Sequence, residues 1–80
     1  METAPTVARI IGANIRRLRR EKKVRARELA SNSRISRSYL YDIEKGRVAP
    51  SLRVLLNICD VLQCEPQDLL RPQADERKVS

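Results

Sequence analysis

The two tyrosines of the chain lie in one short stretch, SRSYLYDIEKGR, which spans residues 36–47. Tyr39 and Tyr41 are two positions apart, and in a helix this separation turns one side chain about 200° away from the other. The two rings therefore cannot both face one apolar core. Leu40 and Ile43 define the core side of the helix, with Tyr39 at its edge. Tyr41 points away from that side.

The side of this helix that faces away from Leu40 and Ile43 is polar throughout. It combines a guanidinium, a hydroxyl, a phenol and a carboxylate, and such a surface either contacts a partner or is solvated. We call it the polar face, and its residues are Arg37, Ser38, Tyr41 and Asp42.

Positive charge is concentrated in the first part of the chain. Residues 9–47 carry 13 Lys/Arg against 4 Asp/Glu, a net charge of +9, whereas residues 48–80 carry 4 against 5, a net charge of −1. A cationic part beside a near-neutral part indicates a polyanionic partner, such as nucleic acid or an acidic membrane surface. A solvated basic face explains the composition about equally well.

The composition argues against catalysis. The chain has no histidine, no nucleophile with an adjacent base, no glycine-rich phosphate loop and no metal constellation, so we expect neither an enzyme nor a cofactor. Cys59 and Cys64 are too few for a disulfide framework or a zinc site. Their apolar helical context indicates small core residues, and nothing in the sequence supports a redox role.

Length and hydropathy limit the other possibilities. No stretch reaches the roughly 18 uncharged apolar residues that span a bilayer, and METAPTVARI has no signal-peptide pattern. We therefore expect a cytoplasmic protein with no membrane partner. Eighty residues allow one small domain with a modest core. They leave no room for a separate sensing domain, so no small-molecule ligand is expected.

Apolar spacing predicts helices and no sheet. The helical segments are TVARIIGANIRRLRREKK, ARELASN, the stretch from Ser36 to a glycine stop at Gly46, SLRVLLNICDVLQ and PQDLLR. Thr6 or Thr3 can cap the first helix and Ser36 the third, whereas Arg25 stands where a hydroxyl would cap the second. The predicted inward positions are Val7, Ile11, Ile15, Leu18, Ala26, Leu29, Ala30, Leu40, Ile43, Leu52, Leu55, Leu56, Cys59, Leu62, Leu69 and Leu70.

The stretch from Ile11 to Leu70 resembles the lambda-repressor-like helix-turn-helix domains of phage repressors, Cro proteins and bacterial relatives, including restriction-modification controller proteins. The matching residues are IGANIRRLR at the start, ELA at 28–30, ISRSYLYDIEKG at 35–46, PSL at 50–52 and LLNICDVLQCEPQDLL at 55–70. The resemblance implies an all-α fold, a compact five-helix bundle whose second and third helices form the helix-turn-helix. We expect an N-terminal tail over 1–5, the DNA-binding domain over 6–71 and a C-terminal tail over 72–80.

The resemblance also implies roles for individual residues. In such domains the third helix enters the DNA major groove with its N-terminal residues at base edges, and the second helix crosses the sugar-phosphate backbone. The polar face, Arg37, Ser38, Tyr41 and Asp42, would then lie against the bases. Phosphate contacts are expected from Arg25, Arg27, Arg34, Tyr39, Arg47, Ser51 and Arg53. Arg19 and Glu44 occupy the positions of a partly buried ion pair that braces the first helix against the third.

Three residues of the polar face have alternatives. Ser38 can contact either a base or a phosphate, or it can be a solvated residue of the first helical turn. Arg37 can donate to O6 and N7 of guanine, or it can make an ordinary phosphate contact. A carboxylate at Asp42 repels phosphates unless it accepts from a cytosine amino group or restrains an arginine, and we expect Arg37 or Arg34 to be that arginine.

The chain departs from the family pattern at four positions. A glutamine that usually contacts a phosphate at the start of the second helix is replaced by Ala26, and usual glycines are replaced by Lys23, Arg34 and Gln63. If these three residues keep a left-handed backbone, each costs up to roughly 1 kcal/mol relative to glycine.

The resemblance implies a sequence-specific transcriptional regulator that binds double-stranded DNA at an operator. We expect a homodimer on a palindromic site, which blocks or contacts RNA polymerase and acts on its own promoter. The expected pairing surface is the fifth helix with the end of the fourth, although Leu69 and Leu70 could equally close the core of the monomer. It would be bacterial or phage-encoded and nucleoid-associated when bound. The alternative is a protein-binding helix-turn-helix module, an antiactivator or antitoxin with an acidic partner, which Asp42 and Ala26 favour.

Overall fold

The computed structural model describes residues 6–72, and over this range it contains five α-helices and no strand. The helices are α1 (Val7–Glu21), α2 (Ala26–Asn32), α3 (Arg37–Glu44), α4 (Leu52–Leu62) and α5 (Pro66–Leu70). The predicted all-α, five-helix architecture is confirmed, and α1 extends two residues less far than predicted. The tail predicted over 1–5, and residues 73–80 of the other tail, lie outside the described residues.

Three of the helices begin at a hydroxyl that accepts a bond from an otherwise unpaired backbone N–H. Their caps are Thr6, Ser36 and Ser51, whose side-chain oxygens lie 3.2, 3.0 and 3.3 Å from the backbone nitrogens of Arg9, Tyr39 and Val54. At α2 the cap position holds Arg25, which has no side-chain acceptor. There the Glu28 carboxylate accepts from the Arg25 backbone N–H at 3.4 Å, so only one half of a capping box forms.

Left-handed residues occur in the connections that follow α1, α2, α3 and α4. Lys23, Arg34 and Gln63 have φ angles of 56°, 61° and 56°, at the three positions where the family resemblance implies glycine. The chain therefore accepts the unfavourable backbone of a non-glycine residue at each of them. Gly46, with φ 77°, ends α3, and a Cβ there would lie 2.7 Å from Cγ of Arg9. Both the backbone angle and the lack of space require glycine at residue 46.

The core combines one side of every helix. Its buried apolar residues are Ile11, Ile15, Leu29, Ala30, Leu40, Ile43, Leu55, Ile58, Cys59, Leu62 and Leu69. Five predicted inward positions are wrong, because Val7, Ala26, Leu52, Leu56 and Leu70 are exposed. All but Leu56 are the first or last residue of a helix, where no opposing element covers them. Leu56 lies beside the α4 stripe, which includes Ile58, a core residue absent from the prediction.

The crossing of α1 and α3 is close enough to require glycine. A Cβ on Gly12 would overlap the carbonyl oxygen of Ile43 and lie 2.9 Å from that of Glu44. These are backbone atoms of α3, which cannot move without displacing the helix. Gly12 therefore sets the distance between α1 and α3.

Asn14 is a buried polar residue that attaches α5 to α1. Its Nδ2 donates to the carbonyl oxygens of Leu69 at 2.8 Å and Arg71 at 2.9 Å. Its Oδ1 accepts from Nη2 of Arg17 at 3.2 Å. The last carbonyls of a helix have no partner within the helix, so Asn14 supplies one at the end of α5. Apolar periodicity does not detect such a residue.

The two cysteines pack together where α4 ends. The backbone N–H of Cys64 donates to the Cys59 carbonyl at 3.0 Å, across the left-handed Gln63. This places the two thiols at the paired apolar positions of a helix-terminating turn. Burial raises the pKa of the Cys59 thiol to about 12 and also raises the pKa of Cys64. Both thiols therefore stay protonated near neutral pH, which agrees with the prediction of small core residues.

We expect the Asn14→Leu variant to unfold more readily because it leaves two helix-end carbonyls without a donor. The expected loss is about 2–3 kcal/mol, a fall in Tm of roughly 10 °C or more. The matched control is Asn57→Leu, since Asn57 makes one longer bond of 3.4 Å to the Ser33 carbonyl. Thermal unfolding followed by circular dichroism measures both. Equal destabilisation by the two substitutions would contradict the role assigned to Asn14.

Candidate nucleic-acid interface

The polar face of α3 is open to solvent. Arg37, Ser38 and Tyr41 are exposed and Asp42 is half-buried, whereas Leu40 and Ile43 on the other side are fully buried. Ser36 starts the helix, so Arg37 and Ser38 occupy its first turn. Three of the four side chains of the polar face are therefore accessible to a partner.

Tyr39 lies at the border of the polar face and the core, as its place on the helical wheel predicts. It is half-buried and packs against the core cluster. The ring therefore contributes to packing. A hydroxyl at the tip of a half-buried tyrosine can still reach a polar partner.

A groove runs beside the polar face, between α3, the end of α1 and the start of α2. Arg37, Ser38 and Tyr41 border it on one side, and Ala26 and Leu40 contribute apolar surface. Arg19 and Glu44 also line it, and two further cations border it, Arg16 of α1 and Lys45 after α3. Neither Arg16 nor Lys45 was predicted to belong to the site. Arg16 is one turn before Arg19 and Lys45 one turn after Tyr41, so helical spacing was the available signal.

Asp42 has a different partner from the one predicted. It pairs with Arg47, whose Nη1 lies 3.1 Å from Oδ1, and it forms no salt bridge with Arg34 or Arg37. The expectation that it restrains Arg37 or Arg34 was wrong. The physical reason is the turn at Gly46, which brings the chain back so that the Arg47 N–H donates to the Asp42 carbonyl at 2.9 Å.

Tyr41 contacts two cations. Nζ of Lys45 and the guanidinium carbon of Arg47 each lie 5.4 Å from the centre of its ring. Both distances are within the range of cation–π attraction. The end of α3 therefore presents two positive groups next to one aromatic ring and one carboxylate.

The remaining predicted phosphate contacts fall in two places. Arg25 and Arg27 are exposed at the start of α2, near Ala26 and the groove. Arg34 and Arg53 border a separate depression between the end of α2 and α4, together with Asp60. Ser51 caps α4, and its hydroxyl proton is free to donate further. The structure does not bring Arg34 and Arg53 to the groove that Arg37 borders.

Arg19 and Glu44 form a bidentate ion pair between α1 and the last turn of α3. Nε donates to Oε2 at 2.7 Å and Nη2 to Oε1 at 3.0 Å, and the two side chains are only 14% and 10% exposed. Nη1 donates to the Val24 carbonyl at 3.2 Å. Hydrogen bonding to Glu44 raises the pKa of Arg19 further above its ordinary value. The Arg19 guanidinium therefore keeps its positive charge, which its hydrogen bonds to the Glu44 carboxylate stabilise.

A family described as "Helix-turn-helix domain" matches residues 10–73 of the chain. The immunity repressor protein of Bacillus phage phi105 is 40% identical over 52 residues, which cover 65% of this chain and 36% of the repressor. The chain spans 83% of one other curated relative and between 36% and 65% of the rest that it matches.

Two solved structures share the fold at substantial identity. The clp gene regulator ClgR from Corynebacterium glutamicum is 37% identical with a TM-score of 0.82, over 85% of this chain and 72% of that one. The restriction-modification controller protein C.AhdI from Aeromonas hydrophila is 32% identical with a TM-score of 0.74, over 78% of this chain and 94% of that one. These similarities confirm the predicted likeness to phage repressors and controller proteins.

We expect Glu44→Ala to lower stability markedly because it leaves the Arg19 guanidinium largely buried without its carboxylate. The expected loss is roughly 3 kcal/mol, compared with less than about 1 kcal/mol for the exposed control Glu21→Ala. Glu21 pairs with Arg17 at 3.4 Å, with side chains 56% and 36% exposed. Urea unfolding of both variants gives the comparison. An unchanged midpoint for Glu44→Ala would reject the bracing role.

Proposed function

This chain belongs to the helix-turn-helix family of transcriptional regulators, and we propose that it acts by binding double-stranded DNA at an operator. The observation that carries the proposal is the open first turn of α3. Arg37 and Ser38 are exposed there, and Arg37 forms no salt bridge within residues 6–72. Free donors at the start of this helix suit contact with base edges in the major groove.

The charged surroundings of α3 support the same proposal. Arg16 and Lys45 border the groove beside Arg37, and Arg25 and Arg27 lie at the start of α2. Phosphate contacts from such residues supply affinity and fix orientation, whereas base contacts supply specificity. Without the usual glutamine at Ala26, we assign the phosphate contact at the start of α2 to Arg25 or Arg27. A second candidate phosphate contact lies between the end of α2 and α4 and consists of Arg34, Ser51 and Arg53. A third lies at α3 and consists of Tyr39 and Arg47.

The charge of Asp42 no longer favours a protein partner over DNA. Its carboxylate is paired with Arg47 at 3.1 Å, so the positive charge of Arg47 offsets the repulsion between Asp42 and an approaching phosphate. If DNA affinity depends only weakly on salt and shows no sequence preference, the result would favour the alternative of a protein-binding module with an acidic partner.

We also propose that two copies bind a palindromic operator. Two-fold symmetric recognition requires a self-complementary surface, and the exposed leucines provide a candidate. Leu52 is 70% exposed and Leu56 is 46% exposed, one turn apart on α4, while Leu70 is 46% exposed at the end of α5. Because Leu52 and Leu56 are both exposed, we place the pairing surface at the first half of α4 instead of at α5 and the end of α4. An operator in the gene's own promoter would make the regulator autoregulatory, by blocking or contacting RNA polymerase.

Selection of bound sites from a random double-stranded DNA library, followed by titration at 50–200 mM salt, tests the DNA-binding proposal. We expect one preferred site and an affinity that falls steeply with salt.

Arg37→Ala should relax preference at one base pair of each half-site, a loss of about 1–3 kcal/mol. Arg25→Ala should weaken all sequences similarly and reduce the salt slope by about 1.

Identical binding profiles for these two variants would defeat the assignment of Arg37 to bases and Arg25 to phosphate. A wild-type protein that enriches no sequence and responds little to salt would overturn the proposed function itself.

Light scattering coupled to gel filtration tests the pairing surface. We expect wild type to be a dimer and the double variant Leu52→Lys/Leu56→Lys to be a monomer, because buried cations at a two-fold contact repel one another. Helical circular dichroism of the variant should match wild type, since both side chains are exposed in the single copy. If Leu70→Lys alone separates the dimer and the double variant does not, the contact belongs to α5.

A further inference from the structure

We propose that Tyr41 and Asp42 are positioning residues, which hold Arg47 and Lys45 against the end of α3, and that base recognition is confined to Arg37 and Ser38. The inference rests on the proposed DNA-binding function. In that site Arg37 and Ser38 would contact bases, whereas Tyr41 and Asp42 would hold two cations in position to contact the phosphate backbone.

The backbone brings Arg47 onto α3. The N–H groups of Gly46 and Arg47 donate to the carbonyls of Ile43 at 3.0 Å and Asp42 at 2.9 Å, with Gly46 at φ 77°. This pattern of two bonds around a left-handed glycine reverses the chain at a helix end. Arg47, which follows the helix in sequence, therefore returns to its last turn.

Two side chains of the polar face then fix the Arg47 guanidinium. Asp42 accepts from Nη1 at 3.1 Å, and the Tyr41 ring centre lies 5.4 Å from the guanidinium carbon. A planar guanidinium suits both a carboxylate and an aromatic ring. Contact with both restricts the rotation of a side chain that is otherwise 59% exposed.

The same ring holds a second cation. Lys45 follows Tyr41 by one helical turn, and its Nζ lies 5.4 Å from the ring centre. Both cations lie at the C-terminal end of α3, where the helix dipole favours positive charge. Tyr41 and Asp42 thus create an ordered pair of cations in the absence of any partner.

These contacts are poorly compatible with base recognition by Tyr41 and Asp42. Acceptance from a cytosine amino group requires a carboxylate oriented toward the groove, and Asp42 is oriented toward Arg47. The Tyr41 ring is occupied by two cations, which leaves only its hydroxyl for DNA. Arg37 and Ser38 have no such restraint among the described residues, and they occupy the turn that lies deepest in the groove.

The physical benefit is a smaller entropic cost of binding. Arginine and lysine each lose rotamer freedom when they contact a phosphate. Arg47 and Lys45 have lost part of that freedom before DNA arrives. A rigid pair of phosphate contacts at one end of α3 also fixes how Arg37, at the other end, meets a base.

Library selection and affinity titration with three variants test this division. We expect Tyr41→Phe to keep both affinity and base preference, since the ring is retained and only the hydroxyl is lost. Tyr41→Leu should weaken all sequences by about 2- to 5-fold with the same base preference, because its side chain has no ring to hold the cations. Asp42→Asn should also keep the base preference. Altered preference at any operator position in Tyr41→Phe or Asp42→Asn would overturn the inference.

A double-mutant cycle separates positioning by Asp42 from its repulsion of phosphates. Asp42→Asn also removes a negative charge near DNA, and that effect is the same with or without Arg47. We therefore expect Asp42→Asn to change affinity differently in wild type and in Arg47→Ala. Additive effects would show that Asp42 does not act through Arg47, and the inference would fall.

A measurement on the free protein distinguishes failure of this inference from failure of the proposed function. Ring-current shifts in NMR spectra should move the δ protons of Arg47 and the ε protons of Lys45 upfield in wild type and Tyr41→Phe, and not in Tyr41→Leu. Random-coil positions in wild type would overturn the inference even if DNA binds. Shifted protons in a protein that selects no DNA sequence would overturn the proposed function and leave the positioning contacts in place.

Discussion

The placement of α3 depends on its contact with α1, and that contact has two parts. Gly12 lets the helices approach until the backbone of α3 occupies the space of a Cβ. Two turns later, Arg19 joins Glu44 at 2.7 and 3.0 Å and the Val24 carbonyl at 3.2 Å. One guanidinium therefore connects α1, the segment leading into α2, and α3. Because the pair is largely removed from water, either partner left alone would be strongly unfavourable, and this ties the helix-turn-helix to α1.

α1 is also the helix to which the far end of the domain is attached. Asn14 donates to two carbonyls at the end of α5, a helix of only five residues with one fully buried leucine, Leu69. So short a helix has little intrinsic stability, and most of its order must come from tertiary contacts. The small core of the domain is thus supplemented by two polar attachments, at Asn14 and Arg19, on the same helix. Both α3 and α5 are therefore attached directly to α1.

Much of this fold follows from the sequence, for reasons that also explain the errors. Spacings of three and four identified the first four helices, and Thr6, Ser36 and Gly46 marked several ends because capping chemistry is local. Periodicity overestimated burial at helix ends, as with Leu52, since it does not register where the opposing surface stops. It also had no means to identify Asn14, whose acceptors lie 55 and 57 residues away. Long-range polar contacts are set by tertiary structure and leave no local pattern.

In the candidate site, as in the fold, contacts within one helix could be predicted, whereas a contact made after a reversal of the chain could not. A helical wheel places Arg37, Ser38, Tyr41 and Asp42 on one side because only 100° steps are involved. It assigns Asp42 a neighbour within the helix or its preceding turn, and misses Arg47, which arrives through the chain reversal at Gly46. On the helical wheel, the Asp42 carboxylate appears unfavourable on a surface that is to contact phosphates. Arg47, which lies outside the helix, neutralises its charge. When a helix ends in a left-handed turn, the residue after the glycine belongs to the surface of that helix, and the charge of the surface must be counted with it included.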